Sequence, residues 1–405
     1  MISKVTFKNY KLFKERQVLD LKPITIIIGK NNSGKSAILK LMTVIEGALK
    51  AKSNSVVNLI NDEVQAGNEY KDLVYGKFGR ALEIELFQKK TGEDLDDILS
   101  FEVAIDINKN IPILDFWNLN DEIKFRNIEN NIYENELDGE EYYCEFLGIS
   151  LMKYLKNGSD KREGKPLPPP HFMATDFIGA IREKTKQDYR LNVSSQVKSH
   201  FDGRYLYDFL IRDYLSTDKK YFTKISQWIK EKFEGWELYI DVDSEPYHIE
   251  LRKGKLETNI TETGMGIGQS LPLITRAYKP CEEETLIIVE EPECHLHPYA
   301  HAQLAQLFAE SIKEDINKKY LFETHSQNFI LRLRRLVAEG MLNESDLGIY
   351  YVEFDEESNE SNLREIKVDK FGNVNFWPEG IFSETLEETI GIRTAQIEMN
   401  NVGRN

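Results

Sequence analysis

The sequence predicts an α/β protein built on a mixed, largely parallel sheet, and three observations carry that reading. Strand-like and helix-like segments alternate from residue 265 to about 340, the pattern of parallel strands joined by crossover helices. The run Ile24–Gly29, ITIIIG, is short, apolar and β-branched, as expected of a strand covered on both faces. The opening residues, MISKVTFKNYKLF, instead alternate with period two, which adds an N-terminal antiparallel portion.

Taken in order, residues 4–8 and 17–20 read as an antiparallel pair joined through KNYKLFKE. The strand at 24–29 leads into AILKLMTVIEGAL, a helix with Ile38, Leu41, Met42 and Ile45 on one face. Residues 51–80 are polar and Asn-rich, suited to a loop or short helices, and 81–88 and 100–107 alternate like strands. From about 108 to 165 the chain is acidic, Asn-rich and turn-rich, and KPLPPP at 165–170 breaks regular structure. The chain therefore divides into a head, residues 1–90 and 171–405, and an inserted lobe, residues 91–170. The head resumes with a strand at 172–182 and a helical stretch at 198–232, with Leu206, Phe209, Leu210 and Tyr214 on one side. A β-meander at 236–260 follows. Then come a helix at 265–278, a strand at 285–290, a helix at 298–314, a strand at 319–323 and a helix at 326–339. Strands at 348–354 and 363–368 and a helix at 383–398 close the chain.

A length of 405 residues allows one large domain or two modest ones. The 41% hydrophobic and 30% charged content is that of a soluble globular protein, and no apolar run is long enough to span a membrane. The N-terminus lacks a signal-peptide core. Cys144, Cys281 and Cys294 are too few and too scattered for a disulfide framework, so a reducing cytoplasm is expected. The net charge of −16 argues against coating nucleic acid by bulk charge, although a local DNA contact remains open. Short basic clusters at 161–165 and 332–335 read as solvated faces.

The chemistry is concentrated in four short segments. The first, GKNNSGKS at 29–36, fits G-x-x-x-x-G-K-[ST] between a strand and a helix. Gly29, Lys30, Asn31, Asn32, Ser33 and Gly34 would curl backbone N–H groups around phosphate oxygens. Lys35 would reach the β and γ phosphates, and the Ser36 hydroxyl would ligate Mg²⁺. An ordinary Gly/Asn turn is the competing reading, outweighed by the strand, Lys and Ser together. The second, LIIVEEPECHLHP at 286–298, is a buried strand ending in two carboxylates. There Glu290 would hold Mg²⁺, directly or through water, and Glu291 would polarise the attacking water; a solvated strand end is the alternative. In the third, KYLFETHSQ at 319–327, His325 would contact the γ-phosphate or its water, although a lone His is more often structural. The fourth, TETGMGIGQSLPL at 261–273, places Gly264, Gly266, Gly268 and Gln269 at a helix opening, a second anion-binding turn. One nucleotide does not need both loops of one chain, so the second would serve a neighbouring subunit.

These four pieces in this order resemble an ABC-type AAA ATPase of the OLD and SMC-like group, in its stand-alone form without a long coiled coil. The resemblance covers most of 1–90 and 172–395. It rests on FKNYKLF at 7–13 before the phosphate loop, GAIR at 179–182, GMGIGQSLP at 264–272, EEPE-x-HLHP at 290–298, and THS-x-x-F-x-x-R-x-R at 324–334. The tail DKFGN…WPEGIF at 369–382 fits the same group. Two positions depart from the pattern: Glu290 stands where Asp is usual, and Gly268 replaces the signature Ser unless Ser270 substitutes. Gln65 and Gln88 are the candidates for the Q-loop glutamine.

The resemblance implies an ATPase that takes ATP and Mg²⁺ and forms a homodimer or higher homo-oligomer through ATP. It implies a sensor or switch in anti-phage defence, working with a separately encoded nuclease or toxin. Direct action on DNA in repair and a slow ATP-binding scaffold are the alternatives. No membrane association is implied. A zinc site at Cys294, His295, His297 and His301 is disfavoured, because no C-x-x-C accompanies it and the resemblance assigns HLHP to a subunit interface. The acidic YYVEFDEE at 350–357 reads as a solvated hairpin, so no nuclease activity is assigned.

Overall fold

The structure, a computed structural model, describes residues 2–50, 55–77, 80–89, 96–106, 111–158, 165–166, 174–242 and 246–402. The basic residues expected at 161–164 and the proline run at 167–170 lie outside these. The chain opens with β1 (Ile2–Lys8), β2 (Gln17–Asp20), β3 (Ile24–Gly29) and α1 (Lys35–Leu49). A small hairpin, β4 (Ile60–Asn61) and β5 (Val64–Gln65), precedes β6 (Leu82–Lys89) and β7 (Asp96–Asp106). Then come β8 (Ile111–Leu119), β9 (Ile123–Glu129), β10 (Ile132–Asn135), β11 (Glu141–Leu147), β12 (Ser150–Lys156) and β13 (Lys165–Pro166). β14 (Ala174–Ile178) leads to α2 (Arg204–Leu215) and α3 (Lys220–Lys232), then to β15 (Glu237–Asp241), β16 (His248–Lys253) and β17 (Leu256–Asn259). The remainder is α4 (Met265–Tyr278), β18 (Thr285–Glu290), α5 (Pro298–Glu314), β19 (Lys318–Glu323), α6 (Gln327–Ala338), β20 (Leu347–Asp355), β21 (Glu360–Ile366) and α7 (Glu384–Val402).

Two large sheets organise the fold. The six-stranded sheet runs β14-β18-β19-β3-β20-β21. Its first five strands are parallel and β21 is antiparallel to β20. Alternate residues point to opposite faces, so Ile27, Leu286, Ile288, Leu321, Tyr350 and Val352 enter one core. Ile26, Ile28, Ile287, Val289, Phe322 and Ile349 enter the other. The first core also holds α1 and the ten-stranded antiparallel sheet, β13-β12-β11-β10-β9-β8-β7-β6-β1-β2. The second holds residues of α2 to α6 and of the β15–β17 meander. The fold is thus the mixed α/β architecture expected, with its N-terminal antiparallel portion.

Residues 111–156, anticipated only as turn-rich, form five strands. Their Asn and Asp residues are hairpin chemistry: Asn120 and Asp121 both have φ near +57°, the geometry of a type I′ turn that favours these residues. The stretch 198–232 divides into two helices, with Lys219 at φ +48 between them. Pro272 sits inside α4. Proline cannot donate to the carbonyl four residues back, and the Tyr207 hydroxyl donates to Gly268 O instead, at 3.0 Å.

The β11–β12 turn reaches the C-terminal end of α1. Ile149 N–H donates to Ala48 O at 3.2 Å and the Ser150 hydroxyl to Leu49 O at 3.1 Å, supplying donors to carbonyls that a helix end leaves unpaired. Gly148, at φ +61, permits the approach: a Cβ there would lie 2.0 Å from Ala48 O. Among the described residues no helix is long and apolar enough to cross a membrane.

Candidate functional site

The loop between β3 and α1 closes on itself because its glycines admit close neighbours. A Cβ at Gly29, φ +157, would meet Val352 O at 2.7 Å, and one at Gly34, φ +100, would meet the Phe13 ring at 3.1 Å. Phe13 is itself held by an edge contact with Phe7, and Tyr10 donates its hydroxyl to Ala37 O at 2.9 Å. The N-terminal hairpin is therefore the floor of the loop. No side chain caps α1 and its first turn carries no acid, so the first-turn N–H groups stand open for an anion. The Ser33 hydroxyl is buried without a hydrogen-bond partner among the described residues.

Lys35 is 4% exposed. Its Nζ donates to Lys30 O at 2.8 Å and lies 3.7 Å from Glu323. Burial pulls its pKa down, against the pull of Glu323 and Glu291. The Ser36 hydroxyl donates to Glu323 Oε2 at 2.7 Å. Glu323 is the carboxylate that sequence reasoning missed. It ends β19, paired in register with Ile27 of β3, and so stands beside a loop almost three hundred residues away in sequence. A strand ending in Glu was the one available signal, and the neighbouring Thr-His-Ser drew attention past it.

Glu290 ends β18 directly opposite Glu323. Burial first, then Glu323, raises its pKa to about 7, while Lys40 acts against the rise. Glu291 follows with φ +43, a left-handed conformation that costs a non-glycine residue about 1 kcal/mol. Its N–H donates to Glu323 O at 2.8 Å. Glu293 fixes the next strand end: its Oε2 accepts from the Thr324 hydroxyl at 2.8 Å, and its Oε1 accepts from the His325 N–H at 2.5 Å. His325 has its pKa lowered, first by burial and then by Lys35, which favours the neutral ring.

Asn31, Asn32, Gly34, Lys35, Ser36, Glu291, Glu323 and His325 line one cleft of about 680 Å³, together with Tyr10, Lys11, Leu12, Lys40 and Ala66. That is the size of a small-molecule site. Open helix amides, a buried ammonium, the orphaned Ser33 hydroxyl and a hydroxyl–carboxylate pair suit a phosphorylated ligand with a divalent cation. Lys11 and Lys40 are further cations that the sequence reading did not assign. Neither Gln65 nor Gln88 lines the cleft, although Gln65 adjoins Ala66.

The second glycine segment lies elsewhere. Gly264, Gly266, Ile267, Leu296, His297, Tyr299 and Trp236 are among the residues lining a separate cleft of about 600 Å³, which shares no residue with the first. Gly264 caps α4 without a side-chain hydrogen bond, and the first turn carries no acid. A Cβ at Gly266 would meet His295 O at 3.3 Å, and one at Gly268 would meet Thr185 Cγ2 at 2.5 Å. Gln269 is buried at 6% exposure. Ser270 is fully buried and donates to Ile267 O at 3.1 Å, so it does not replace a hydroxyl at position 268.

Other candidates have structural employment. His301 donates from Nε2 to Leu296 O at 3.0 Å, and its Nδ1 accepts from the Ser326 hydroxyl at 2.8 Å, so neither ring nitrogen is free for zinc. Of the basic cluster on α6, Arg332 bonds Gln306, Arg334 bonds Gly372 O and Arg335 bonds Glu339.

Residues 24–332 match the family described as "AAA domain, putative AbiEii toxin, Type IV TA system". Residues 342–390 match one described as a protein of unknown function, DUF3696. No curated protein matches the chain. Similar solved structures include an SMC head domain from Thermotoga maritima, at 14% identity and TM-score 0.46, covering 91% of this chain and 99% of that one. An SMC head bound to the C-winged helix domain of ScpA has 16% identity and TM-score 0.47, covering 91% and 98%. An SMC head with an extended coiled coil, bound to the C-terminal domain of ScpA from Pyrococcus furiosus, has 13% identity and TM-score 0.46, covering 97% and 99%. The family match spans most of the chain and contains the loop, both strand ends and the α4 opening, and so the protein belongs to this AAA family of P-loop ATPases.

Proposed function

We propose that the protein binds and hydrolyses ATP at the cleft around Lys35, and that two copies close on one another around the nucleotide. The observation carrying this reading is the separation of two phosphate-type elements. Residues of the 29–36 loop line one cleft, and the uncapped α4 opening at Gly264 and Gly266 lines another. One chain thus offers two halves of a site, and a second chain supplies the complementary half.

In this reading the N–H groups of residues 30–36 and the Lys35 ammonium hold the β and γ phosphates. Ser36, Glu290 and the newly assigned Glu323 would hold Mg²⁺, whose charge offsets that of the phosphates. Glu291 orients the attacking water and takes its proton. Neutral His325 accepts or donates a hydrogen bond at the same water or at the γ-phosphate. Gly264, Gly266, Gly268 and Gln269 of the opposing copy close the site, and hydrolysis releases them. The nucleotide thereby biases open and closed states by its differential affinity for the two.

We place this switch in anti-phage defence, with ATP state signalled to a separately encoded nuclease or toxin. We assign partner contact to the inserted lobe, residues 91–170, whose β11–β12 turn grips the end of α1. The cytoplasm is its expected location. Replacing Glu291 by Gln should trap an ATP-bound dimer, seen as a doubled mass by light scattering, and lower turnover by about 100-fold or more. Unchanged turnover in that variant would remove Glu291 from catalysis. DNA degradation by the purified protein alone, with Mg²⁺ and ATP, would end the division of labour with an effector.

A further inference from the structure

Arg182 is only 3% exposed and forms no ion pair among the described residues. Its Nη2 donates to Glu290 O and to Glu291 O, each at 2.8 Å. Its Nε and Nη1 have no hydrogen-bond partner among the described residues. This is a costly way to keep a cation, since buried donors left unpaired cost about 1–3 kcal/mol each, and unexplained cases in folded proteins point to stored strain or function. Burial pulls the guanidinium pKa down to about 10, against the pull of Cys294, Glu293, Glu291 and Glu290.

What the cation holds is the turn that carries both carboxylates. The bifurcated donation bridges two consecutive carbonyls just where Glu291 takes its left-handed φ of +43. The same segment, 179–182, also supplies the Ala180 N–H to the Glu290 carboxylate. On the far side of the turn, Glu293 is tied to Thr324 and His325. The turn is therefore clamped from two sides: backbone bonds from Glu291 N–H to Glu323 O and from Cys294 N–H to Glu291 O hold the strained residue, and Arg182 adds the side-chain bridge from its carbonyl to that of Glu290.

We infer that Arg182 is a positioning residue for hydrolysis, holding the Glu290–Glu291 backbone so that the Glu291 carboxylate faces the phosphate-loop cleft. This rests on the reading of Glu291 as the group that orients water. Lysine carries three N–H donors on one nitrogen but lacks the planar guanidinium that fixes Nη2 between the two carbonyls, so it should serve only in part. A glutamate whose peptide is released can rotate out of reach, and misplacement of about an ångström is worth about 100-fold in rate.

The test compares Arg182→Met, Arg182→Lys, Glu291→Gln and the Arg182→Met/Glu291→Gln double variant of the full chain. Turnover and ATP affinity are measured for each. Arg182→Met should lower kcat by about 100-fold, with ATP affinity within about threefold of the parent, and Arg182→Lys should recover part of the rate. In the Glu291→Gln background, adding Arg182→Met should change the rate by less than about twofold. Multiplying losses in the double variant, or a loss of ATP affinity equal to the loss of rate, would overturn the inference. Should Arg182→Met not fold, Arg182→Lys alone and combined with Glu291→Gln gives the same comparison. The single Glu291→Gln variant reports separately on the catalytic reading: if it turns over normally, that reading fails whatever Arg182 does.

Discussion

The two large sheets obey different rules, and the difference explains where the chemistry lies. In the six-stranded sheet, strands such as β18 and β19 are buried almost throughout and place a carboxylate at their last residues, Glu290 and Glu323. Parallel strands between two cores have no free face, so functional groups collect at the carboxyl ends, as in other open α/β sheets. In the ten-stranded sheet, strands such as β9 expose about half their side chains, and their ends carry hairpin turns. That sheet meets the candidate cleft through its β1–β2 loop, whose Tyr10, Lys11 and Leu12 line it, and supports α1 through Phe7, Tyr10 and Phe13 and through the β11–β12 turn. In the function proposed, one sheet carries the chemistry and the other fixes the helix that presents the glycine loop.

The sharpest way to break the first half of this comparison is Lys35→Ala. It removes the buried ammonium facing Glu323 and should weaken ATP binding by about 100-fold or more, read by titration calorimetry. Full affinity would refute the cradle. Glu323→Gln is the next largest test. It keeps the shape but removes the charge beside Ser36 and Lys35, and should lower kcat by about tenfold while raising the Mg²⁺ concentration needed. A variant with unaltered Mg²⁺ dependence would return Glu323 to a purely structural role.

Gly148→Ala tests the second half. A methyl 2.0 Å from Ala48 O forces the turn off the end of α1, at a cost of about 2 kcal/mol in urea unfolding. A stability change under about 0.5 kcal/mol would mean that the two sheets are not coupled there.

The smallest effect is one of pH. Glu290 has a folded pKa of about 7 against an ordinary 4.5. Between these values the native state binds more protons than the unfolded state, so stability is favoured below the lower value and is lost as pH rises through the upper one. The nucleotide-free protein should therefore melt at a lower temperature at about pH 8 than at about pH 5, and part of that difference should vanish in Glu290→Gln. An equal difference in both proteins would detach Glu290 from the effect.

Most of the parallel sheet could be read in advance, because β18, β19 and β3 announce themselves by apolar runs of strand length. The phosphate loop was equally plain, since its glycines, Lys and Ser follow one another directly. The lobe strands were harder: half their residues face water, and their Asn-rich turns resemble loop composition. The candidate site was legible where its residues are sequence neighbours, as in 29–36 and 290–291. It was illegible where partners are brought together by pairing, as with Glu323 on Ser36 and Arg182 on Glu291.

By itself, then, the sequence determined the local devices: the loop that must curl, the strands that must be buried, the carboxylates at a strand end and the glycines that open α4. Those depend on φ preference, periodicity and helix-end amides, which are properties of a few consecutive residues. Tertiary structure alone decided which carboxylate meets the Ser36 hydroxyl, that Arg182 clamps the Glu290–Glu291 turn, and that the two glycine loops line separate clefts. Strand order and register set those distances, and they follow from the joint burial of two cores rather than from any single segment.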